Sequence, residues 1–159
     1  MINSETVVSL GRAYDKQNKV KEAIQCYNKA IADPKKKNVN AYFFLGQLLE
    51  REKDFKEAVT NYRKCLKLDT EHLSSCLHLA TLLAQLNEQS KAAKYFKHAL
   101  KLDSTSIVAN YGMGRTLHLA TNNIDAPIKY YKAVVDKDPA HYKALCQLGT
   151  IYLEKMDLT

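Results

Sequence analysis

Residues 42–65 read YFFLGQLLEREKDFKEAVTNYRKC, and this stretch carries the marked positions of a block that recurs along almost the whole chain. Its marked positions are Tyr42, Leu45, Gly46, Leu49, Ala58, Tyr62 and Cys65. The following block carries Cys76, Leu79, Ala80, Leu83, Ala92, Phe96 and Ala99 in the same places. Gly11, Gly46, Ala80, Gly114 and Gly149 hold the central slot, at spacings of 35, 34, 34 and 35 residues. Self-similarity at such a period marks an array of helical units, each unable to bury its own apolar face alone.

Within each block, apolar residues recur at three- and four-residue steps in two runs, which predicts two amphipathic helices. The turn between them is punctuated by Asn18, Lys53, Asn87 and the pair Asn122-Asn123. Asn suits the left-handed position that ends a helix. Asp54 and Glu57 have the spacing of a capping box for the next helix. The small residues Gly11, Gly46, Ala80 and Gly114 in first helices, and Ala23, Ala58 and Ala92 in second helices, permit close helix approach. Tyr27, Tyr62 and Phe96 are expected to fill the gap between neighbouring units.

This pattern resembles the tetratricopeptide repeat over essentially the whole chain. The fold it implies is all-α, a right-handed superhelical solenoid of antiparallel helix pairs, forming a single array over residues 1–159. Repeats are expected at 4–38, 39–72, 73–106 and 107–141, with a partial fifth at 142–159. First helices are predicted at 4–17, 39–52, 73–86, 107–121 and 142–156, and second helices at 20–32, 55–68, 89–102 and 125–137. Two departures stand out. The loop Asp33-Pro34-Lys35-Lys36-Lys37-Asn38 has an extra residue and an early Pro, so the first unit's second helix should stop early. The fourth unit has one extra residue in its turn, which puts Pro127 at or beside the small-residue slot, with Asp125 as the expected cap.

The composition is that of a soluble fold, 46% hydrophobic and 26% charged. The start, Met1-Ile2-Asn3-Ser4-Glu5, lacks a basic segment followed by an apolar run, so no signal peptide is expected. No stretch is apolar enough for a membrane span. The cysteines Cys26, Cys65, Cys76 and Cys146 lack the paired spacing of a metal site. Cys65 and Cys76 fall on frame positions expected to be buried, and an intracellular, reducing, cytoplasmic setting fits free thiols best. His72, His78, His98, His118 and His141 lie apart without ligand spacing. There is no phosphate loop, nucleophile elbow or paired-His helix. The chain is therefore read as a non-enzyme without cofactor or metal.

The resemblance implies that ligands contact inward-facing positions of the first helices. One such row is Val8, Phe43, Leu77, Tyr111 and Cys146, and a second is Arg12, Gln47, Thr81, Arg115 and Thr150. His78 and His118 flank them, with Asn40, Phe44, Ser74, Val108 and Lys143. An apolar row broken by Arg12 and Arg115 would accept a peptide or helix with hydrophobic anchors and acidic or amide groups. The alternative is that Phe43, Leu77 and Tyr111 pack against neighbouring first helices. The two-carboxylate clamp of chaperone-binding members is absent: its slots hold Val8, Arg12, Phe44, Ser74 and His78. The asparagine ladder of sugar-transferase arrays is replaced by Ser9, Phe44, His78, Gly112 and Gln147.

The net charge of +7 lies largely on second helices and loops: Lys35, Lys36 and Lys37, Lys64 and Lys67, then Lys91, Lys94, Lys97 and Lys101. It reads as a solvated outer face rather than a nucleic-acid surface. The expected function is a protein-interaction scaffold. Its alternatives are a targeting module of a larger enzyme, and a basic solenoid binding nucleic acid or an acidic protein. The fifth unit has a first helix without a second, so the chain reads as a fragment of a longer array or one that covers its end. Leu148 and Tyr152 are expected to be exposed there and to favour end-to-end association.

Overall fold

The computed structural model describes residues 3–32, 38–121 and 123–157. Among them there are nine helices and no strand. They are α1 (Ser4–Lys16), α2 (Val20–Ile31), α3 (Val39–Arg51), α4 (Phe55–Leu68), α5 (Leu73–Gln85), α6 (Gln89–Leu102), α7 (Ile107–Ala120), α8 (Ile128–Lys137) and α9 (Tyr142–Asp157).

Side-chain acceptors at their starts satisfy backbone N–H groups that no helical carbonyl can reach. Asn38 Oδ1 accepts from the Ala41 amide at 3.0 Å, and Ser106 Oγ from Ala109 at 3.3 Å. Histidine does the same at α5 and α9. His72 Nδ1 accepts from Ser75, and His141 Nδ1 from Ala144, each at 3.2 Å. Asp54 Oδ1 accepts from Glu57 at 3.4 Å, but the Asp54 amide donates to the Leu49 carbonyl instead, at 2.8 Å. Only half of the expected capping box therefore forms.

Asn18, Lys53 and Asn87 take φ values of 58°, 65° and 62°. They close the turns α1–α2, α3–α4 and α5–α6 in the left-handed conformation, which the short polar side chain of Asn tolerates at 18 and 87 and which Lys53 adopts without that advantage. The corresponding expectation for Asn122 lies outside the described residues. Asn123 Oδ1 accepts from the Asp125 and Ala126 amides at 3.0 and 3.1 Å. This turn carries the chain past the expected start at 125, and Asp125 is not the cap. α8 begins at Ile128 with Pro127 in the cap position. Pro127, Tyr131 and Val134 are all buried, so the one-residue insertion shifts the frame without breaking it. α2 ends at Ile31, two places short of the position equivalent to Leu68, as the early Pro requires. The loop that follows it lies outside the described residues as far as residue 37.

The chain divides into two compact units, residues 1–78 and 79–159. In the first, α1 packs on α2, α3 on α4, and α2 and α1 on α3. Its core joins Val7, Val8, Ala23, Tyr27, Ala30, Ala41, Leu45 and Leu48. The frame glycines are where second-helix rings rest. A Cβ on Gly11 would lie 2.8 Å from Tyr27 Cε1, and one on Gly46 would lie 2.8 Å from Tyr62 Cε1. Asp15 of α1 and Arg51 of α3 pair at 2.5 Å.

In the second unit α6 packs on α7, α7 on α8 and α8 on α9. Its core includes Tyr131, Val134, Ala144, Leu148 and Ile151. The fourth block breaks the frame at Asn110, where an apolar residue belongs. The buried amide is accommodated because its Nδ2 donates to the Ser104 and Ser106 carbonyls, both at 3.0 Å. Leu148 is a correction to the sequence reading: it is 9% exposed and packs in this core. The exposed apolar row of α9 is instead Tyr142, Leu145, Tyr152, Leu153 and Met156. Among the described residues nothing lies within 4 Å of a Cβ placed on Gly149.

Candidate functional site

The ten residues expected to line a groove divide between the two units. Val8 belongs to neither surface. It is 5% exposed, sits in the core with Tyr27 and Leu45, and is unavailable to a ligand. This corrects the sequence reading. α1 buries Val8 against α2 and α3.

In the first unit the remaining candidates belong to an aromatic and polar cluster. Arg12 places its guanidinium 4.6 Å from the Phe44 ring centroid, a cation–π contact. Phe43 is half-buried among Phe44, Tyr62, His72 and His78, with centroid distances of 5.3, 6.2, 4.9 and 5.8 Å. Leu77 is half-buried. Gln47 Nε2 lies 3.2 Å from His78 Nε2, and His78 Nδ1 lies 3.1 Å from Glu50 Oε2. The Tyr62 hydroxyl donates to the same oxygen at 2.6 Å. All three contacts are satisfied together when His78 carries its proton on Nδ1, because Nε2 then accepts from Gln47.

Glu50 is the centre of this network and was invisible in the sequence, since its two partners come from two other helices, α4 and α5. Burial opposes its charge. The hydrogen bonds from His78 and Tyr62 outweigh burial and hold the carboxyl below its ordinary 4.5, and His78 adds its charge when both ring nitrogens are protonated. A carboxylate depressed in the fold binds fewer protons than in the unfolded chain. Its contribution is complete above the unfolded value and is lost as pH falls through the lower folded one. Wild type should therefore lose stability more steeply than Glu50→Gln as pH falls below the ordinary 4.5. Parallel chemical-denaturation curves for the two over that range would remove Glu50 from the acid response.

In the second unit Thr81, Tyr111 and Arg115 come together on the wall of a cavity of about 280 Å³. α5 contributes Thr81, Ala84 and Gln85, and α6 contributes Gln89 and Phe96. α7 contributes Ile107, Val108, Tyr111, Gly112, Arg115, Thr116 and Leu119, and His141 completes the wall. Tyr111 is half-buried, its ring 5.8 Å from that of Tyr131 and 5.2 Å from that of His141. Arg115 is exposed beside it. His118 lies outside the cavity wall, with Nε2 3.8 Å from Glu154 Oε2. Sequence reasoning missed Gly112, Phe96 and Thr116 as cavity residues. Gly112 carried the only available signal, a second glycine with no place in the repeat frame.

The remaining groups behave as structural elements. Cys65 and Cys76 are fully buried. Burial pushes both thiols up, Cys76 to about 11, which keeps them protonated and unreactive at neutral pH. Ser75 Oγ donates to Cys65 Sγ at 3.0 Å. Lys94, Lys97 and Lys101 are exposed along α6, but Phe96 between them is buried and Tyr95 half-buried. The row therefore lacks the exposed rings on which bases stack. Among the described residues no group of His, Cys, Asp and Glu could hold a metal ion, and no helix is long and apolar enough to cross a membrane.

The repeat frame, the helix pairs and the rings seated on glycine define a helical-repeat protein. The chain belongs to the tetratricopeptide repeat family, whose models match residues 8–72 and 73–106. It is 29% identical over 117 residues to Protein CTR9 homolog of Arabidopsis thaliana, covering 72% of this chain and 11% of that protein. It is 28% identical over 123 residues to BBSome complex member BBS4 of Mus musculus, covering 77% and 22%. With Protein O-mannosyl-transferase TMTC3 of Homo sapiens it shares 26% over 121 residues, covering 76% and 13%. The chain thus spans between 11% and 22% of the length of these relatives.

Among solved structures, YrrB, described as a TPR protein with an unusual peptide-binding site, superposes with a TM-score of 0.86 at 23% identity. The match covers 97% of this chain and 78% of that one. MamA superposes with a TM-score of 0.87 at 22% identity, over 96% and 82%. These likenesses establish the fold, and the family is that of protein-interaction scaffolds.

Proposed function

We propose that the chain is a cytoplasmic protein-binding module that takes part in complex assembly, and that it grips a peptide or helix of its partner through the Tyr111–Arg115 face of α7. The observation that carries this reading is the cavity beside an exposed guanidinium. Tyr111 supplies aromatic area, and Arg115 lies one turn further on the same helix. Tyrosine and arginine are the residue types that most often dominate binding energy. The free, buried thiols fit a reducing compartment.

Peptides selected from a displayed random library on the immobilised chain provide the test. Tyr111→Ala should weaken the best of them by roughly 2 kcal/mol, about thirtyfold, by calorimetry. The melting transition should stay cooperative. A variant that unfolds without a separable binding defect would make Tyr111 a core residue, its ring serving Tyr131 and His141.

A second surface has its own observation. Tyr142, Leu145, Tyr152, Leu153 and Met156 are exposed along α9, at steps that place them on one stripe about Gly149. We read this stripe as the site of end-to-end association or of a further packed helix. Leu145→Lys with Leu153→Lys should lower the concentration-dependent mass seen by light scattering. A monomer at all concentrations in both proteins would remove self-association.

A further inference from the structure

The cavity of the second unit lies where a side chain is missing. In the first unit, each second-helix ring is stacked by the residue two places before the next central slot. Phe44 stacks on Tyr27 at 6.3 Å and His78 on Tyr62 at 5.5 Å, both with planes 24° apart. The equivalent partner of Phe96 is Gly112, which has no ring to offer. Phe96 lies against the bare backbone instead, so close that a Cβ on Gly112 would be 2.2 Å from its Cζ. The cavity occupies the space beside this contact.

Its wall is not purely apolar. Thr116 Oγ1 and Gln89 Oε1 are both buried without a hydrogen-bond partner. Thr116 is 1% exposed, and Gln89 already uses its amide nitrogen on the Ala84 carbonyl at 3.3 Å. Orphaned polar atoms of this kind are costly until a guest answers them. Arg115 stands exposed on the same wall, and among the described residues no ion pair engages it.

We propose that this cavity is a socket for a tyrosine side chain of the partner segment, with a neighbouring carboxylate of that segment held by Arg115. The ring takes the stacking place that Phe44 and His78 fill in the first unit. Its hydroxyl donates to Gln89 Oε1 and accepts from Thr116 Oγ1. Phenylalanine would leave both atoms orphaned, and the tryptophan N–H can only donate. Size permits the guest: a cavity of about 150 Å³ already accepts benzene, and this one is about 280 Å³. The proposal rests on the partner-binding reading above and names the chemistry of its anchor.

Two arms test it. In the first, p-cresol and toluene are titrated against the full chain by ligand-detected NMR. The hydroxyl should favour p-cresol by roughly fivefold. Thr116→Val should reduce that preference while sparing toluene, and Ala84→Phe, confirmed folded by circular dichroism, should block both. Equal binding of the two probes, binding of neither, or indifference to Ala84→Phe overturns the socket. In the second arm, selection from the random peptide library should enrich tyrosine beside Asp or Glu, and the enrichment should vanish on Ala84→Phe. Peptides retained without tyrosine would overturn the socket and leave the Tyr111–Arg115 surface standing. Binding of p-cresol with no peptide retained would overturn the partner and the proposed function, leaving a phenol site alone.

Discussion

Tyr62→Ala is expected to lower the stability of the first unit by about 3–5 kcal/mol, the range for emptying a large buried aromatic site. The ring is fully buried, rests on Gly46 and stacks on His78. Its hydroxyl donates to a carboxylate, and burial followed by that neighbouring charge pushes the phenol well above its ordinary value. Removing the side chain opens a hole and also takes a donor from Glu50. Tyr62→Phe separates the two effects. It keeps the packing and removes only the hydrogen bond, worth about 1.5–3 kcal/mol when the acceptor is charged. Urea unfolding followed by circular dichroism on the three proteins decides. A Phe variant as stable as wild type would mean that Glu50 does not need the hydroxyl, and the network would reduce to its histidine.

Gly46→Ala and Gly149→Ala should shift stability in opposite directions. On Gly46 an added methyl would meet Tyr62 Cε1, Cδ1 and Cζ at 2.8, 2.9 and 3.2 Å. That ring is anchored by its hydroxyl and has little room to yield. Overpacking of this kind costs about 1–3 kcal/mol, and the better helix propensity of alanine returns at most about 1 kcal/mol. A net loss is expected. On Gly149 the same methyl meets nothing within 4 Å among the described residues, so only the propensity gain remains, about 0.5–1 kcal/mol. Thermal unfolding of both variants measures the contrast. A loss at Gly149 would show that a packed neighbour sits over α9 in solution, which would support the association proposed for that face.

These two glycines occupy the same slot of the repeat. The slot predicts a small residue wherever a helix is to follow closely. Whether a ring rests on it depends on how the second helix, whose ring lies sixteen or seventeen residues further on, packs back. Val8 carries the same lesson. It was expected in one row with Phe43 and Tyr111, yet α2 and α3 cover it while Arg115, in the companion row, stays exposed. The stripe a helix turns inward is legible from periodicity, but the depth to which each member sinks is set by the neighbours. Leu148 was expected on the outer face of α9 and instead packs with Tyr131 and Ile151, because α8 covers more of that helix than the repeat frame implied.

Local chemistry explains what could be read without coordinates. The 34–35-residue period, the two helices per period and the left-handed turns at Asn18, Lys53 and Asn87 follow from side-chain spacing and backbone preference within one block. They belong to the chain at short range, and the structure returns them almost residue for residue. Asn123 marks the limit even there. Its side chain accepts from the Asp125 and Ala126 amides, and α8 starts only at Ile128. The Glu50–His78–Tyr62 network and the cavity beside Gly112 belong to the other category. Each depends on groups from three helices meeting within hydrogen-bond or van der Waals distance. No periodicity encodes which carboxylate a distant hydroxyl will reach, or that a missing ring will leave Thr116 and Gln89 without partners. Those outcomes arise only when helices pack, because packing alone sets the distances on which contact and solvation energies depend.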